Sequence, residues 1–535
     1  MEKYEKRAMK LTDKSTRKAK KSTHKNSYKK APSKAQNGAI SHAIDENHAF
    51  LVSVLGNGIG LTFTKYDILE KKAQVGIAYI QSIVDKNLIS SHIVKPLIES
   101  KIDTVLDQQH ISMLIQSKFI QIPDIKKTCE MKQLMDYLLT GYTIVFLQRS
   151  NEAFAIGSRK FENRAVEAPN NEATVLASQD SFTEDVQTNC SMIIRRLPTP
   201  DLHFEEFIVG SLSRTKIKLL WLKNKSNLKV VNEVRKRIEN INVESMDGIG
   251  SLAELIVEKP LSVFPKYRQT QRPDLVAKRL SEGYTAILCN NSPFALIAPM
   301  FFWDNFKTMD DYSENTFVVS FLRLVRIFSF ILSTSILALY VSFVTYNQAI
   351  VPAPLAINIA TGRDGVPFPS IVEVLILSVA ITIIREASLR LPGSVGYFIG
   401  ALAAVVIGQA AVTAGYVSAS VIIVVAVSAI SSFAISSTTI VYPSRLINYL
   451  LILFAGTFGM FGLINGLTLV TWHLVSLHSF GMPYMYPLVP FDMQAMKDTF
   501  IRAPFKNNKK QPGMLLGDNS ISNNNKGFKN QNGNR

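Results

Sequence analysis

Apolar and polar positions follow two rhythms along the chain. From about residue 45 to 317, short apolar runs are set off by polar breaks and followed by helical patterns: Val75 to Ile80 leads to Leu88 to Ile98, and Ile217 to Leu222 leads to Leu228 to Ile238. Such runs bounded by turn residues read as strands, and apolar positions spaced three and four apart read as helices. From about 318 the rhythm changes. Long apolar stretches occupy 318 to 344, 396 to 413, 416 to 440 and 447 to 473, each about long enough to cross ~30 Å of hydrocarbon as a helix. Four membrane spans are the expectation. A fifth stretch, Ile371 to Ile384, is short, holds Glu373 and ends in Arg385, Glu386 and Arg390. It reads as a re-entrant or interfacial helix, or as a short fifth crossing.

The soluble part repeats itself. Gly141, Tyr142 and Thr143 open a run to Leu147 that is followed by Ala153 to Ile156; Gly283, Tyr284 and Thr285, 142 residues later, open a run to Cys289 followed by Pro293 to Leu296. The runs Val75 to Ile80 and Ile217 to Leu222 share that offset. Two similar modules result, each with a strand and helix first and a hairpin-like strand pair last, turned at Ser150-Asn151 or at Asn290 to Pro293. Between them, Ser181 to Glu184 has the spacing of a capping box, opening a helix that runs to Arg195 and Arg196.

The fold class expected is therefore an α/β soluble region of two similar modules, followed by an all-α multi-span membrane domain. The divisions are a disordered basic tail (1–44), a first module (45–165), a helical linker (166–199), a second module (200–317), a transmembrane helical domain (318–480) of four or five spans plus a short helix at 371–384, and a cytoplasmic C-terminal tail (481–535), disordered after about 505.

Charge changes this picture only at the ends. The net +17 would suggest nucleic acid if it covered a surface, but residues 1–36 hold thirteen Lys/Arg against Glu2, Glu5 and Asp13, and residues 501–535 hold seven against Asp518. The tails carry 16 of the 17 charges, leaving a nearly neutral body. Tails of this composition lack the apolar residues that would offset ordering entropy; they fit attraction to anionic membrane lipid or plain solubility on the cytoplasmic side. With sparse aromatic partners, nucleic-acid binding is not expected. The polar N-terminus has no apolar core of a cleavable signal.

Candidate chemistry is thin. Cys129, Cys190 and Cys289 are isolated, and no Walker sequence, nucleophile arrangement or metal-ligand spacing is evident. Neither catalysis nor a cofactor is expected. Gly56 to Gly60 lacks the ending of a phosphate loop and reads as a turn. Gly396, Gly400, Ala404 and Gly408 recur every fourth residue, a ridge where another helix packs closely. Ionisable or amide groups in apolar surroundings are costly and face a protein interior or water, which singles out Glu373, Arg385, Glu386 and Gln409 as candidate pore or gating residues. Arg323 and Arg326 read as snorkelling to the interface.

Several stretches together resemble the A subunits of the GerA family of spore germination proteins. They are Phe182-Thr183-Glu184-Asp185 with Thr188-Asn189 and Arg195-Arg196; Phe264-Pro265 with Thr270-Gln271-Arg272-Pro273-Asp274; Gly365 to Pro369; Arg385-Glu386-Ala387 with Arg390-Leu391-Pro392; Gly408 to Ala411; and Ser479-Phe480-Gly481 with Pro483-Tyr484. Their order covers residues 50 to 505; the tails match no family pattern, and Gln271 stands where an acidic residue is expected. The resemblance implies a nutrient-sensing receptor subunit in the spore inner membrane, its N-terminal region facing the core, working with a transporter-like B subunit and a lipoprotein C subunit. It further implies homo-oligomerisation and an ion path that opens on nutrient binding. Glu184, Asp185, Arg195, Arg196, Arg272 and Asp274 are then candidate inter-module or subunit contacts. The alternatives are a secondary transporter or a membrane-anchored scaffold.

Overall fold

A computed structural model describes residues 39–56, 58–68, 73–99, 120, 122–160, 178–258, 262–389, 406, 408–435, 437–502 and 514–515. Gly396, Gly400, Ala404 and Arg390, and nearly all of both tails, lie outside these residues. The chain divides into two units, one of residues 1–55 and 61–159, the other of 56–60 and 160–535.

The first unit begins with α1 (Ile44–Leu55), then β1 (Leu61–Ile68) and β2 (Ala73–Ile80). A helical run follows in three pieces, Lys86–Leu88, the π-turn Ile89–Val94 and Lys95–Glu99, together α2. Then come β3 (Ile125–Thr128), α3 (Met131–Leu139), β4 (Tyr142–Leu147) and β5 (Ala153–Gly157). The strands form one antiparallel sheet in the order β1-β2-β4-β5-β3. α3 buries Met131, Leu134, Met135, Leu138 and Leu139, each fully buried apolar side chain stabilising by ~1.5–3 kcal/mol relative to exposure.

The second unit repeats the plan with α4 (Val186–Arg196), β6 (Leu202–Val209), β7 (Thr215–Leu222), α5 (Leu228–Glu239), α6 (Ile249–Ile256), β8 (Arg268–Thr270), α7 (Pro273–Ser281), β9 (Thr285–Cys289) and β10 (Ala295–Ala298). Its sheet runs β6-β7-β9-β10-β8, the same order. The helix expected as a linker is the first element of this module. In the first module, Asn47 accepts from Ser41 N and donates to Ser41 O, Arg149 N donates to His42 O, and Ile44 N donates to Gln148 Oε1. Each contact recurs 142 residues on, through Asn189 and Thr183, Asn291 and Glu184, and Val186 and Asn290. α4 begins later than a cap at Ser181 would place it: Asp185 accepts from Gln187 N and Thr188 N at 3.3 and 2.8 Å, satisfying the orphan donors of the first turn.

Beyond the second module come α8 (Thr316–Thr345), α9 (Ala353–Thr361), α10 (Ser370–Leu389), α11 (Ala419–Phe433) and α12 (Thr438–Ser476). Among the described residues, α8 and α12 are long and apolar enough to cross a membrane by length and composition. The stretch expected to span at 416 to 440 is helical over Ala419–Phe433, and α12 already opens within it at Thr438; 396 to 413 falls largely outside the described residues. Ile371 to Ile384 belongs to a helix of 20 residues.

The last apolar stretch departs from expectation in shape. The stretch 447 to 473 is not a straight helix: Gly459, at φ 60° and ψ −141°, turns the chain back on itself. A Cβ on Gly462 would overlap the Phe454 carbonyl, and one on Gly466 would meet the Leu451 side chain at 2.7 Å. Arms 438–458 and 460–476 therefore lie side by side, with glycines where their backbones approach. Asn347 Oδ1 accepts from Met460 N at 3.1 Å, capping the second arm.

Candidate functional site

Where the second module meets α8, buried charges gather. β10 is followed by two 3₁₀ turns, Phe302–Phe306 and Asp310–Tyr312, and each contributes one aspartate. Asp304, 3% exposed, faces Arg279 Nη2 at 3.2 Å and Lys307 Nζ at 3.4 Å and accepts from the Tyr284 hydroxyl at 2.9 Å. Burial alone would raise its pKa, but Arg279, Lys307 and the Tyr284 bond outweigh it and hold the carboxyl at about 2. Burial and the Asp304 charge push the Tyr284 phenol well up. Arg279 also donates to Glu282 at 3.0 Å.

Asp311, 2% exposed, takes the neighbouring side chains of α8. It accepts from Arg323 Nη2 at 3.1 Å and Arg326 Nη1 at 2.8 Å, with Thr308 Oγ1 at 2.7 Å. Three residues apart, the two arginines share one helix face. Burial raises the Asp311 carboxyl, yet Arg326, Thr308 and Arg323 together bring it below the ordinary range. Arg323 is fully buried and its Nη1 also donates to the Asp498 carbonyl at 2.7 Å. The expectation of snorkelling fails here because Asp311 and the segment around 498 supply partners inside the protein.

The segment after α12 closes the same junction. Tyr312 donates to Asp498 Oδ2 at 3.0 Å; Arg502 donates to the Glu314 carbonyl at 2.6 Å. Ser479 donates to the Lys266 carbonyl at 2.6 Å and accepts from Met300 N at 2.9 Å, while Phe302 N donates to the Tyr484 carbonyl at 2.9 Å. Phe264, Phe302, Phe306, Phe330 and Tyr484 pack ring to ring across it. Lys278 lies against the Tyr312 ring; burial, with Arg279 and Lys307 nearby, pulls its amine down to about 6 against the opposing charges of Glu282 and Asp498.

A second charged pair sits among the apolar helices. Glu373 is fully buried; its Oε2 accepts from Ser418 N at 2.9 Å and its Oε1 lies 3.2 Å from Arg363 Nη2, close enough for an ion pair though not aligned as a hydrogen bond. Ser418 Oγ continues to Ser420 Oγ at 3.2 Å and thence to the Tyr340 hydroxyl at 2.9 Å. Arg385, on the same helix as Glu373 but ~18 Å away at 1.5 Å per residue, donates to Ser432 Oγ at 3.0 Å and covers the Phe433 ring. Glu386 and Gln409 are exposed. Gly408 faces Ile422 with its bare Cα, a Cβ there lying 3.8 Å away. The four candidate pore residues are thus not drawn into one cluster.

The remaining candidates are internal to the second module. Arg272, 2% exposed, pairs with Asp274 at 2.6 Å and donates to the Ser178 carbonyl at 3.1 Å. Asp180 holds both Arg195 and Arg196. Glu184 accepts at its carbonyl from Asn291, and Asp185 caps α4. Sequence reading missed Asp304, Asp311 and Asp498; the available signal was Arg323 and Arg326 on one face of an apolar helix, which buried acids satisfy as well as water does.

A family model described as Bacillus/Clostridium GerA spore germination protein matches residues 50–514. Spore germination protein KA of Bacillus subtilis (strain 168) is 34% identical, over 88% of this chain and 87% of that protein. Spore germination protein GerLA of Bacillus cereus is 32% identical, over 86% and 93% respectively. An uncharacterized membrane protein of Bacillus subtilis, YfkQ, is 31% identical, over 82% and 84%. Among solved structures, the N-terminal domain of the A subunit of the Bacillus megaterium spore germinant receptor GerK3 is 26% identical, covering 49% of this chain and 97% of that one with a TM-score of 0.39. The chain belongs to the GerA family of spore germination proteins, with the A-subunit proteins of that family.

Proposed function

We propose that the chain is the A subunit of a nutrient germinant receptor in the spore inner membrane and that it passes a nutrient signal from its partners to an ion path through the helical domain. The partners are a transporter-like B subunit, a lipoprotein C subunit and further copies of the chain. The observation that carries the reading is the junction in which Asp311 and Asp498 pair with Arg323, tying the second module to α8 and to the segment after α12, while Asp304 braces the module side through Arg279. Buried, mutually satisfied charges transmit displacement rather than absorb it, because parting any one leaves another uncompensated. Arm 460–476 returns to the module side, where His473 meets Ser262 at 3.2 Å, in keeping with both chain ends in the spore core. Glu373, fully buried beside the half-buried Arg363, is the strongest gating candidate.

The test is germination of spores lacking this gene, with monovalent-ion release recorded after single nutrients. Early release to a defined nutrient is lost and is restored by the intact gene. Glu373→Gln restores receptor abundance but alters release; equal loss of abundance and release sinks the gating role. Purified receptor in planar bilayers separates conduction from a scaffold.

A further inference from the structure

The two modules close the same slot with different pieces of chain. In the first, Gly141 (φ +93°) lies under the Ile83 carbonyl, and residues 158–159, directly continuing β5, fill the space above it: Asp85 N donates to the Ser158 carbonyl at 2.8 Å, Val84 bridges Arg159, and Arg159 covers Gly141. In the second, Gly283 (φ +97°) lies equivalently under the Lys225 carbonyl, but the chain after β10 leaves for the junction with α8. Its place is taken by Met514 and Leu515. The Leu515 carbonyl lies 3.0 Å from where a Cβ of Gly283 would stand, and the Leu515 side chain is fully buried.

One residue type changes in register with this exchange. Asp85 caps α2 through Oδ1, which accepts from Asn87 N and Leu88 N. Its counterpart 142 residues on, Asn227, caps α5 through Oδ1 to Lys229 N at 3.0 Å and also donates from Nδ2 to the Met514 carbonyl at 2.9 Å. An aspartate meets the first demand but not the second, since it has no N–H. Either residue caps a helix, but of the two only the asparagine can also receive a peptide carbonyl, as it does here.

We propose that the slot of Lys225, Asn227 and Gly283 is a peptide-binding site whose ligand is the chain's own Met514–Leu515. Docking there adds a second tie between the end of the helical domain and the second module, beyond the one at Arg502. The inference rests on the fold and is independent of the ion-path reading.

The decisive probe is a labelled peptide of residues 511–517 added to full-length protein and to protein lacking 511–535, in detergent, with anisotropy as readout. The shortened protein binds it saturably and the intact protein, its slot occupied, at least tenfold more weakly. Asn227→Asp, which keeps the cap and removes the donor, weakens binding by the shortened protein at least tenfold, as does Leu515→Asp in the peptide. Undiminished binding in either case overturns the assignment, as does absence of saturable binding to a shortened protein that melts normally. Should shortening prevent folding, Met514→p-benzoylphenylalanine in the intact chain decides instead: photo-adducts fall within one copy at 225–227 or 283–284, and adducts elsewhere, between copies or nowhere refute it.

Discussion

The two modules share strand order, helix placement and the asparagine clamp at their first helix, yet they bury different chemistry. Among the described residues, the buried polar residues of the first module are the uncharged Asn47, Thr128, Thr143 and Ser158, whereas the second buries Lys218, Lys266, Arg272, Arg279, Asp304 and Asp311. Equivalent positions make the contrast sharp. Tyr137 and Tyr142 of the first module pack as tilted rings 5.3 Å apart near the surface, and Tyr142 donates to an exposed Asp124. Their counterparts, Arg279 and Tyr284, converge on buried Asp304. A duplicated fold thus carries one copy closed on itself and one wired by charge to the helical domain. Burying charge does not make a module more stable than an apolar core would, since desolvation consumes most of the attraction; it makes position depend on all partners being present.

The largest expected effect comes from breaking that contrast at its centre. Arg279→Ala strands Asp304 and costs the second module about 3–5 kcal/mol, while Tyr137→Ala at the matching site costs the first about 0.5–1.5 kcal/mol. Hydrogen exchange, which reports each sheet separately, reads the difference; equal losses would show that the buried pair holds no special place. Where the modules agree, costs agree: Asn47→Ala and Asn189→Ala each leave backbone groups of a buried clamp unmet and each cost roughly 1–3 kcal/mol. A several-fold disparity in exchange at α1 and α4 would mean that the repeat is one of shape only.

The gentlest effect, taken per pH unit, is a slope. The unfolded chain keeps its Lys278 proton up to about 10.5, and the folded one releases it near 6, so between those values the unfolded state binds more protons and stability of the second module rises with pH, by at most ~1.4 kcal/mol per pH unit. Below about 6 this contribution is flat. Lys278→Met removes the slope, which denaturation midpoints taken across that range would detect, and the first module shows no such change.

The duplication was legible because two apolar segments at one offset carry their own register, and strand hairpins announce themselves through turn residues such as Ser150 and Asn291. The cap of α4 was misread by four residues because Ser181 and Asp185 both offer a side-chain acceptor, and only the packing of Val186 against the sheet decides between them. Gly459 was invisible for a related reason: a single glycine inside an apolar run is neutral in hydropathy, and its reversal is fixed by contacts with Tyr346 and Asn347, more than a hundred residues away in sequence. The charged junction was half visible. Arg323 and Arg326 were noticed, but their acids lie on turns and on a segment after α12 that no local pattern ties to them. Glu373 was found because a carboxylate in an apolar helix violates hydropathy by itself; Gln409, chosen on similar grounds, is exposed.

The bond from Arg323 to the Asp498 carbonyl bridges residues made at very different times. As the chain leaves the ribosome, α8 is complete long before residue 498 exists, so the base of the first long helix waits, with part of its guanidinium unmet, for nearly the whole of the helical domain to be made. A chain halted short of residue 498 therefore lacks the carbonyl that completes this joint, and only the finished protein has it sealed.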